Sequence, residues 1–261
     1  MRVAVVQFSV AAGDPDTNRR IVEERVATLA ASAAKPDVVV LPELWSTGYA
    51  LEHARELASP EGEAEAAFLG SLAVKYNVAF AGGSVLARVG DTVCNRAQAI
   101  DASGRLLAWY DKVHLFRLMD EDKYLAAGDR RRMFILNGIP CSSVICYDIR
   151  FCELVRAIAL DGAKVLFVSA EWPLVRKEHW CALLRARAIE NQFFVVACNR
   201  SGVTGTETFG GHSMILAPDG TTLAQADEHD AVLTAELDFT LLDRVRAACP
   251  VFTDRVPEVY R

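Results

Sequence analysis

The sequence of 261 residues lacks long apolar runs, linker-like tracts and any Cys-x-x-Cys pair. Without an apolar run of about 18 residues it offers no transmembrane helix. Without a Pro-, Gly- or Ser-rich linker or a block of like charge, it is predicted to form one domain over residues 1–261. Its seven cysteines are an odd number in a chain too large to need disulfides. Free thiols in a reducing compartment, the cytoplasm, are therefore expected.

Histidine is scarce, and patterns that bind metals, phosphates or nucleic acids are missing. The five histidines form no His-x-x-x-His pair and no Cys/His cluster with zinc spacing. The glycine-containing segment 202–205 lacks the lysine that follows in a phosphate-binding loop. A net charge of −6, with Lys and Arg scattered, argues against a nucleic-acid surface. The sequence thus predicts no metal, no cofactor, and neither a nucleic acid nor a membrane as partner.

Helix-like and strand-like segments alternate over most of the chain. Apolar residues recur with helical spacing at 17–34, 64–76, 151–160 and 179–191. Short apolar runs predict strands at 3–7, 37–41, 78–85, 93–100, 106–110, 133–136, 142–145, 164–169, 193–197, 213–217, 222–226 and 232–237. Several strands follow one another without a helix, which excludes a simple doubly wound sheet, yet fully apolar strands need cover on both faces. The prediction is an α/β fold, a four-layer α-β-β-α sandwich of two mixed sheets with outer helices.

Three strand-like segments end at a residue that can carry out chemistry. Cys146 follows the apolar run 141–145 and precedes a helix-like stretch, Glu43 follows an apolar run and a proline, and Lys112 follows two aromatic residues. A single cysteine after a strand is most often an inert core residue, and a single Glu or Lys there is most often a surface charge. The recurrence of reactive residues at three strand ends favours a functional site.

Together these residue types supply what attack on an amide or nitrile carbon requires. A thiolate at Cys146 is the nucleophile, and the Glu43 carboxylate can take the thiol proton and later give it to the leaving nitrogen. The Lys112 ammonium and the backbone N–H of Tyr147 can stabilise the oxyanion, and one such donor is typically worth about 3–4 kcal/mol of the barrier. Spacing alone does not show that these groups meet.

Three motifs stand in order along the chain: LPE at 41–43, DKVHLF at 111–116 and CYDIRF at 146–151. This order resembles the nitrilase superfamily of carbon–nitrogen hydrolases, and the likeness extends from residue 5 to residue 252. The resemblance implies an α-β-β-α sandwich and a catalytic triad of Glu43, Lys112 and Cys146. It also implies that Glu121 is the second glutamate of many members, which orients the substrate or the cysteine proton; the alternative is a solvated charge run.

Within this family the sequence most resembles the omega-amidases, which hydrolyse the side-chain amide of 2-oxoglutaramate or 2-oxosuccinamate. The likeness lies at 110–121, 171–180 and 185–192. Such a small-molecule amide carries a free carboxylate, for which a guanidinium is a better partner than an ammonium. Besides Trp172, we expect one of four basic residues to bind the substrate: Arg117, Arg150, Arg176 or Lys177.

Other functions remain open at this stage. The main alternative is an N-carbamoyl amidase that resembles beta-ureidopropionase. A catalytically silent ligand-binding homologue is a second alternative, although such a protein need not keep all three triad residues. A Cys–His hydrolase would use His179 or His212, but His179 lies beside Trp180 in an apolar helical stripe, where packing explains it equally well.

The resemblance also implies a homodimer or a higher homo-oligomer, with the helix at 179–190 and the tail at 250–261 as expected interface elements. One departure from the family is Cys152, where a proline is usual in the first helical turn. We expect this change to cost some local rigidity and to leave the chemistry intact. It also places a second thiol close in sequence to Cys146, which suggests an oxidation-sensitive pair.

Overall fold

The computed structural model describes residues 1–81 and 83–260. Gly82, in the predicted strand 78–85, and Arg261, at the end of the predicted interface tail, lie outside the described residues. The strands are β1 (Arg2–Gln7), β2 (Val38–Val40), β3 (Ser59–Pro60), β4 (Ala79–Phe80), β5 (Ser84–Val89), β6 (Thr92–Ile100), β7 (Leu106–Asp111), β8 (Met133–Leu136), β9 (Ile139–Ile145), β10 (Val165–Ala170), β11 (Phe194–Asn199), β12 (Val203–Thr204), β13 (Glu207–Thr208), β14 (Met214–Leu216), β15 (Thr222–Gln225) and β16 (Ala231–Glu236).

The helices include the four that the periodicity predicts and three more. They are α1 (Pro15–Ala31), α2 (Ala54–Leu57), α3 (Glu63–Tyr76), α4 (Glu121–Tyr124), α5 (Cys152–Leu160), α6 (Lys177–Asn191) and α7 (Phe239–Ala248). Short 3₁₀ turns lie at Leu51–His53, Arg117–Met119, Cys146–Arg150, Leu174–Arg176 and Pro257–Val259. None of the helices in the described part of the chain is long and apolar enough to cross a membrane.

Local sequence explains where the first helix begins and which face it buries. The side chain of Asp14 accepts a hydrogen bond from the Thr17 backbone N–H, and a proline occupies the first turn of α1. Val22, Val26 and Leu29 follow at helical spacing and are buried. The apolar stripe therefore fixes how α1 packs on the sheet beneath it.

Two mixed sheets form the centre of the molecule. The larger has the order β16-β1-β2-β4-β6-β5-β3, with β7 paired to β6, and the smaller has the order β15-β14-β11-β10-β9-β8. Strands β1, β2 and β4 run parallel, as do β9, β10 and β11, while hairpin-like neighbours run antiparallel. Parallel neighbours bring their carboxyl ends to one edge, and that edge of each sheet carries the candidate residues.

The alternation of side chains along the strands produces four layers. In β1, Val3 and Val5 pack in the core between the sheets, whereas Ala4 and Val6 pack with residues of α1 and α3. In the smaller sheet, alternate residues of β10 and β11 face the same central core or the side covered by α5 and α6. The predicted four-layer α-β-β-α sandwich of two mixed sheets is confirmed.

The structure differs from the sequence-based elements in several places. The predicted strand 78–85 is divided between β4 and β5. Helix α7 was missed, although Asp238 caps it through the Thr240 backbone N–H and Leu242 is buried. The short β3, β12 and β13 are two residues long and carry no periodicity that a sequence pattern can reveal.

Candidate active site

The site lies where the carboxyl ends of strands from both sheets meet. Because β9, β10 and β11 are parallel neighbours, Cys146, Glu171 and Arg200 follow them at one edge of the smaller sheet. Glu43 follows β2 of the larger sheet by three residues, and its backbone N–H reaches the Ala170 carbonyl at 3.5 Å. The two sheets are thus connected at the point where the reactive side chains collect.

Glu43, Lys112 and Glu121 form one buried cluster, although they are far apart in sequence. The Lys112 Nζ lies 2.8 Å from Glu43 Oε1 and 2.5 Å from Glu121 Oε1. All three side chains are fully buried, with 0% exposure. One ammonium therefore holds two carboxylates, and Glu121 does not belong to a solvated charge run.

Cys146 has an unusual backbone conformation at the end of β9. Its φ is +46°, in the left-handed region that a residue with a Cβ atom rarely adopts. It begins the 3₁₀ turn Cys146–Arg150, in which Tyr147 is the next residue, and its side chain is buried. Strained non-glycine residues cluster at functional sites when the surrounding structure enforces them.

Asp148 enforces this conformation and joins two of the sequence motifs. Its Oδ2 accepts hydrogen bonds from the Ile145 backbone N–H at 3.0 Å and from the Tyr110 hydroxyl at 2.8 Å. Its Oδ1 accepts from the His114 backbone N–H at 3.0 Å and contacts the His114 ring nitrogen at 2.8 Å. The His114 ring stacks on Phe151 with 3.5 Å between centroids. The segment after Lys112 and the Cys146 turn are therefore held together.

Burial and the carboxylates control the charge states in the cluster. Burial, followed by the charge of Glu43, raises the pKa of the Cys146 thiol well above its ordinary value. Burial would lower the pKa of Lys112, but Glu121 and Glu43 raise it well above its ordinary value. Burial also raises the pKa of Glu121, against the opposing charge of Lys112. At rest the cysteine is a thiol, and Lys112 is a cation.

Sequence reasoning missed three groups that hold the two carboxylates. The Tyr49 hydroxyl bonds to Glu121 and lies 3.2 Å from Glu43 Oε1, and Asn95 Nδ2 donates to the same Glu43 oxygen at 2.8 Å. The Glu171 backbone N–H donates to Glu43 Oε2 at 2.8 Å. Burial, then Glu121 and Glu43, raise the pKa of Tyr49 well above its ordinary value, so it remains a donor.

A narrow pocket of about 10 Å³ opens at Cys146. Its lining residues are Phe116, Cys146, Tyr147, Arg150, Trp172, Pro173 and Arg176. The Arg150 guanidinium lies 4.8 Å from the Trp172 ring centre, and that of Arg176 lies 5.8 Å from the Phe116 ring centre. Two guanidinium groups and three aromatic rings therefore line the pocket beside the Cys146 thiol.

Two of the predicted basic residues are not brought to this pocket. The Arg117 side chain is 85% exposed, lies 3.9 Å from Asp122 and lines a wider outer cleft of about 460 Å³. Lys177 is the first residue of α6 and is not in the lining of the Cys146 pocket. Of the four basic residues expected to bind the substrate carboxylate, only Arg150 and Arg176 line the pocket at Cys146.

The remaining candidates also have defined places. The His179 ring contacts Arg150 Nη2 at 3.2 Å, and the His212 ring contacts the Gly210 carbonyl at 2.7 Å, so both predicted partners of a Cys–His pair face other groups. Cys152 is exposed in the first turn of α5. Across 1–81 and 83–260, no group of three or more His, Cys, Asp or Glu side chains has an arrangement suited to a metal ion.

Comparison with known proteins identifies the class. The carbon–nitrogen hydrolase family matches residues 2–247, and the chain belongs to this family. It is similar to the 2-oxoglutaramate amidase of Bacillus subtilis (strain 168), with 42% identity over 258 residues that cover 99% of this chain and 98% of that protein.

Solved structures of relatives show the same architecture. A CN-hydrolase superfamily protein from Xanthomonas campestris, with an arsenic adduct in its active site, superposes with a TM-score of 0.91 at 31% identity, over 98% of this chain and 97% of that chain. A mutant amidase from Nesterenkonia sp. AN1 superposes with a TM-score of 0.88 at 26% identity, over 100% and 95% of the chains. That structure shows covalent addition of the acetamide moiety of fluoroacetamide at the active site cysteine.

Proposed function

We propose that this protein is an omega-amidase, which hydrolyses the side-chain amide of 2-oxoglutaramate or 2-oxosuccinamate through a thioester on Cys146. The observation that carries the proposal is the small pocket in which Cys146 lies beside two guanidinium groups, Arg150 and Arg176. The similarity to the 2-oxoglutaramate amidase of Bacillus subtilis supports the same substrate class.

The first half of the reaction forms the thioester. Glu43 takes the proton of Cys146, and the sulfur attacks the amide carbon. Lys112 and the Tyr147 backbone N–H stabilise the negative charge on the carbonyl oxygen. The proton on Glu43 then passes to the leaving nitrogen, and ammonia departs.

The second half hydrolyses the thioester. A water molecule gives its proton to Glu43 and attacks the same carbon, and the second oxyanion meets the same two donors. The sulfur leaves as the acid product forms, and the proton returns from Glu43 to Cys146. One carboxylate thus acts as base and acid in both halves.

Glu121 supports this chemistry by fixing its neighbours. One of its oxygens pairs with Lys112, and the other accepts a hydrogen bond from the Phe116 backbone N–H at 2.7 Å. Phe116 lines the Cys146 pocket. Glu121 therefore links the ammonium that faces the oxyanion to the wall that faces the substrate.

The charge of the pocket lining favours a substrate with a carboxylate. Arg150 and Arg176 offer planar donor pairs that match a carboxylate, and Trp172 supplies an apolar wall. A keto-acid amide meets these demands because its reacting amide and its carboxylate stand at opposite ends.

Ammonia release by the purified protein tests the proposal. The substrates are 2-oxoglutaramate, 2-oxosuccinamate, N-carbamoyl-β-alanine, glutamine and a simple nitrile, with Cys146→Ala as the inactive control. Release from the two keto-acid amides by wild type alone is expected. Release from the carbamoyl compound alone would move the protein to the N-carbamoyl amidases. Release by Cys146→Ala at the wild-type rate would overturn the mechanism, and no release from any compound would overturn the substrate class.

We further propose that the enzyme works as a homodimer in the cytoplasm. Apolar side chains are exposed on the two elements that the sequence predicts to form the interface. They are Ile189 on α6 and Val256, Val259 and Tyr260 in the tail. All seven cysteines are free thiols, which suits a reducing compartment. Light scattering on the purified protein should give twice the mass of the chain, and a monomer mass would contradict the dimer.

A further inference from the structure

A buried Glu–Arg pair lies next to Glu43. Glu171 and Arg200 follow the parallel neighbours β10 and β11, whose register pairs Ala170 with Asn199. Arg200 Nη1 lies 3.0 Å from Glu171 Oε2, and both side chains have 0% exposure. The Glu171 backbone N–H is the donor that holds Glu43 Oε2. Glu171 is therefore an immediate neighbour of the proposed base.

Arg200 is fixed by several partners besides Glu171. Its Nε donates to the Ser201 carbonyl at 3.1 Å, its Nη2 donates to the Val10 carbonyl at 2.8 Å, and its guanidinium lies 4.2 Å from the Phe209 ring centre. Arginine side chains in proteins are always charged. The group in the pair that can change its charge is Glu171.

The two oxygens of the Glu171 carboxyl differ in their hydrogen-bond partners. Oε2 pairs with Arg200, whereas Oε1 is buried and has no hydrogen-bond partner within residues 1–81 and 83–260, although Arg–carboxylate pairs are frequently bidentate. The charged groups that face it are Arg200, Glu43 and Lys112. Burial raises the pKa of Glu171 to about 8, with Arg200 opposing the shift and Glu43 adding to it. Its charge thus changes close to neutral pH.

We propose that Glu171 is a positioning residue whose charge decides how readily Glu43 takes the Cys146 proton, an inference that rests on the proposed function of this site. Two neighbouring carboxylates resist being ionised together, so an ionised Glu171 favours the protonated form of Glu43. In that form the proton has moved from Cys146 to Glu43, and the electron pair has stayed on sulfur. Ionised Glu171 therefore promotes formation of the nucleophile.

The test compares wild type with Glu171→Gln across the pH range in which Glu171 titrates. We expect kcat/KM of the wild type to rise through the pKa of about 8. The variant should lack this step and fall about threefold to tenfold below wild type on the alkaline side, the effect of a neighbouring charge worth about half to one pKa unit. If the Glu171–Arg200 pair were purely structural, Glu171→Gln would lower the melting temperature and leave the shape of the pH profile unchanged.

A second readout does not depend on the substrate. The rate of Cys146 alkylation by iodoacetamide, followed by peptide mass, should show the same step in wild type and lose it in Glu171→Gln. If wild type turns over no amide but its alkylation shows the step, the proposed function fails and the role of Glu171 stands. If both the pH profile and the alkylation rate of Glu171→Gln match wild type, the inference is overturned.

Two further variants separate charge from stability. Glu65→Gln breaks another Glu–Arg pair, which joins Glu65 of α3 to Arg19 at 2.8 Å away from the site, and we expect it to keep both wild-type pH profiles. Glu171→Asp keeps the carboxylate and should show a pH step, so it tests the inference even if Glu171→Gln does not fold. A folded Glu171→Asp protein without any step would contradict the inference.

Discussion

At Lys112 a single ammonium group faces two carboxylates in a region without solvent. Glu43 and Glu121 have 0% exposure, so each would be an unpaired buried charge without Lys112. Breaking a buried pair in this way typically costs about 3–5 kcal/mol, much more than the pair contributes relative to an apolar replacement. The residue thus combines a structural task with its proposed task at the oxyanion.

Lys112→Met should separate these two tasks. We expect kcat to fall by about 10²–10³-fold because one oxyanion donor is lost, and the free energy of unfolding to fall by about 3–5 kcal/mol. Denaturant melts and steady-state kinetics on the same preparation measure both. Lys75→Met, which removes the exposed Lys75–Glu23 pair, is the control and should match wild type. A Lys112→Met enzyme with wild-type kcat would exclude an oxyanion role for this ammonium.

At the scale of elements, the site depends on how the Cys146 turn is joined to the end of β7. Asp148 makes this connection, because one carboxylate receives donors from both segments. The left-handed φ of Cys146 persists only while such contacts hold it, since the conformation is costly for a residue with a side chain. The geometry of the proposed nucleophile therefore depends on Asp148, which has no proposed role in the chemistry.

Asp148→Asn should weaken this connection, because it removes a carboxylate oxygen while the side chain keeps nearly the same size. An amide presents one acceptor oxygen in place of two, so at least one of the buried donors is left unpaired, at a cost of about 1–3 kcal/mol. We expect kcat to fall more than KM rises, because the substrate pocket keeps its lining. Asp161→Asn, at the exposed end of α5, is the matched control. An unchanged kcat in Asp148→Asn would show that the turn keeps its geometry unaided.

The elements differ in how far the sequence predicts them. Strands β9 and β10 are largely apolar and are followed directly by Cys146 and Glu171, so the positions of the strands could be inferred; the reactive role of Cys146 stays a prediction. The contacts of Tyr49 with Glu121 and of Glu171 with Glu43 could not be inferred, because they join residues 72 and 128 positions apart and no local pattern encodes a contact of that range. Helix α7 was predictable from its cap at Asp238 and its apolar spacing, and it was overlooked.

At the scale of the whole molecule, the site belongs to both sheets. The larger sheet supplies Glu43 and Lys112, and the smaller supplies Cys146 and Glu171, so neither sheet carries the chemistry alone. The central core of alternating strand residues holds the two sheets in register. Catalysis and global stability are thereby coupled, and groups buried at the site affect how the whole fold responds to pH.

Glu171 allows this coupling to be measured. Its pKa in the folded protein is about 8, against 4.5 for an unperturbed Glu. Between these values the folded state holds a proton that the unfolded state releases, so the stability that depends on this proton is fully present below 4.5 and is lost as pH rises through 8.

Glu171→Gln cannot titrate and should not lose this contribution. We expect the difference in unfolding free energy between variant and wild type to shift in favour of the variant as pH rises from 4.5 to about 8, and to be constant at higher pH. Urea melts of both proteins at a series of pH values measure it, with Glu65→Gln as the control for loss of a Glu–Arg pair. A pH-independent difference would mean that Glu171 is already ionised at pH 4.5 and above, because the Arg200 cation then outweighs the effect of burial.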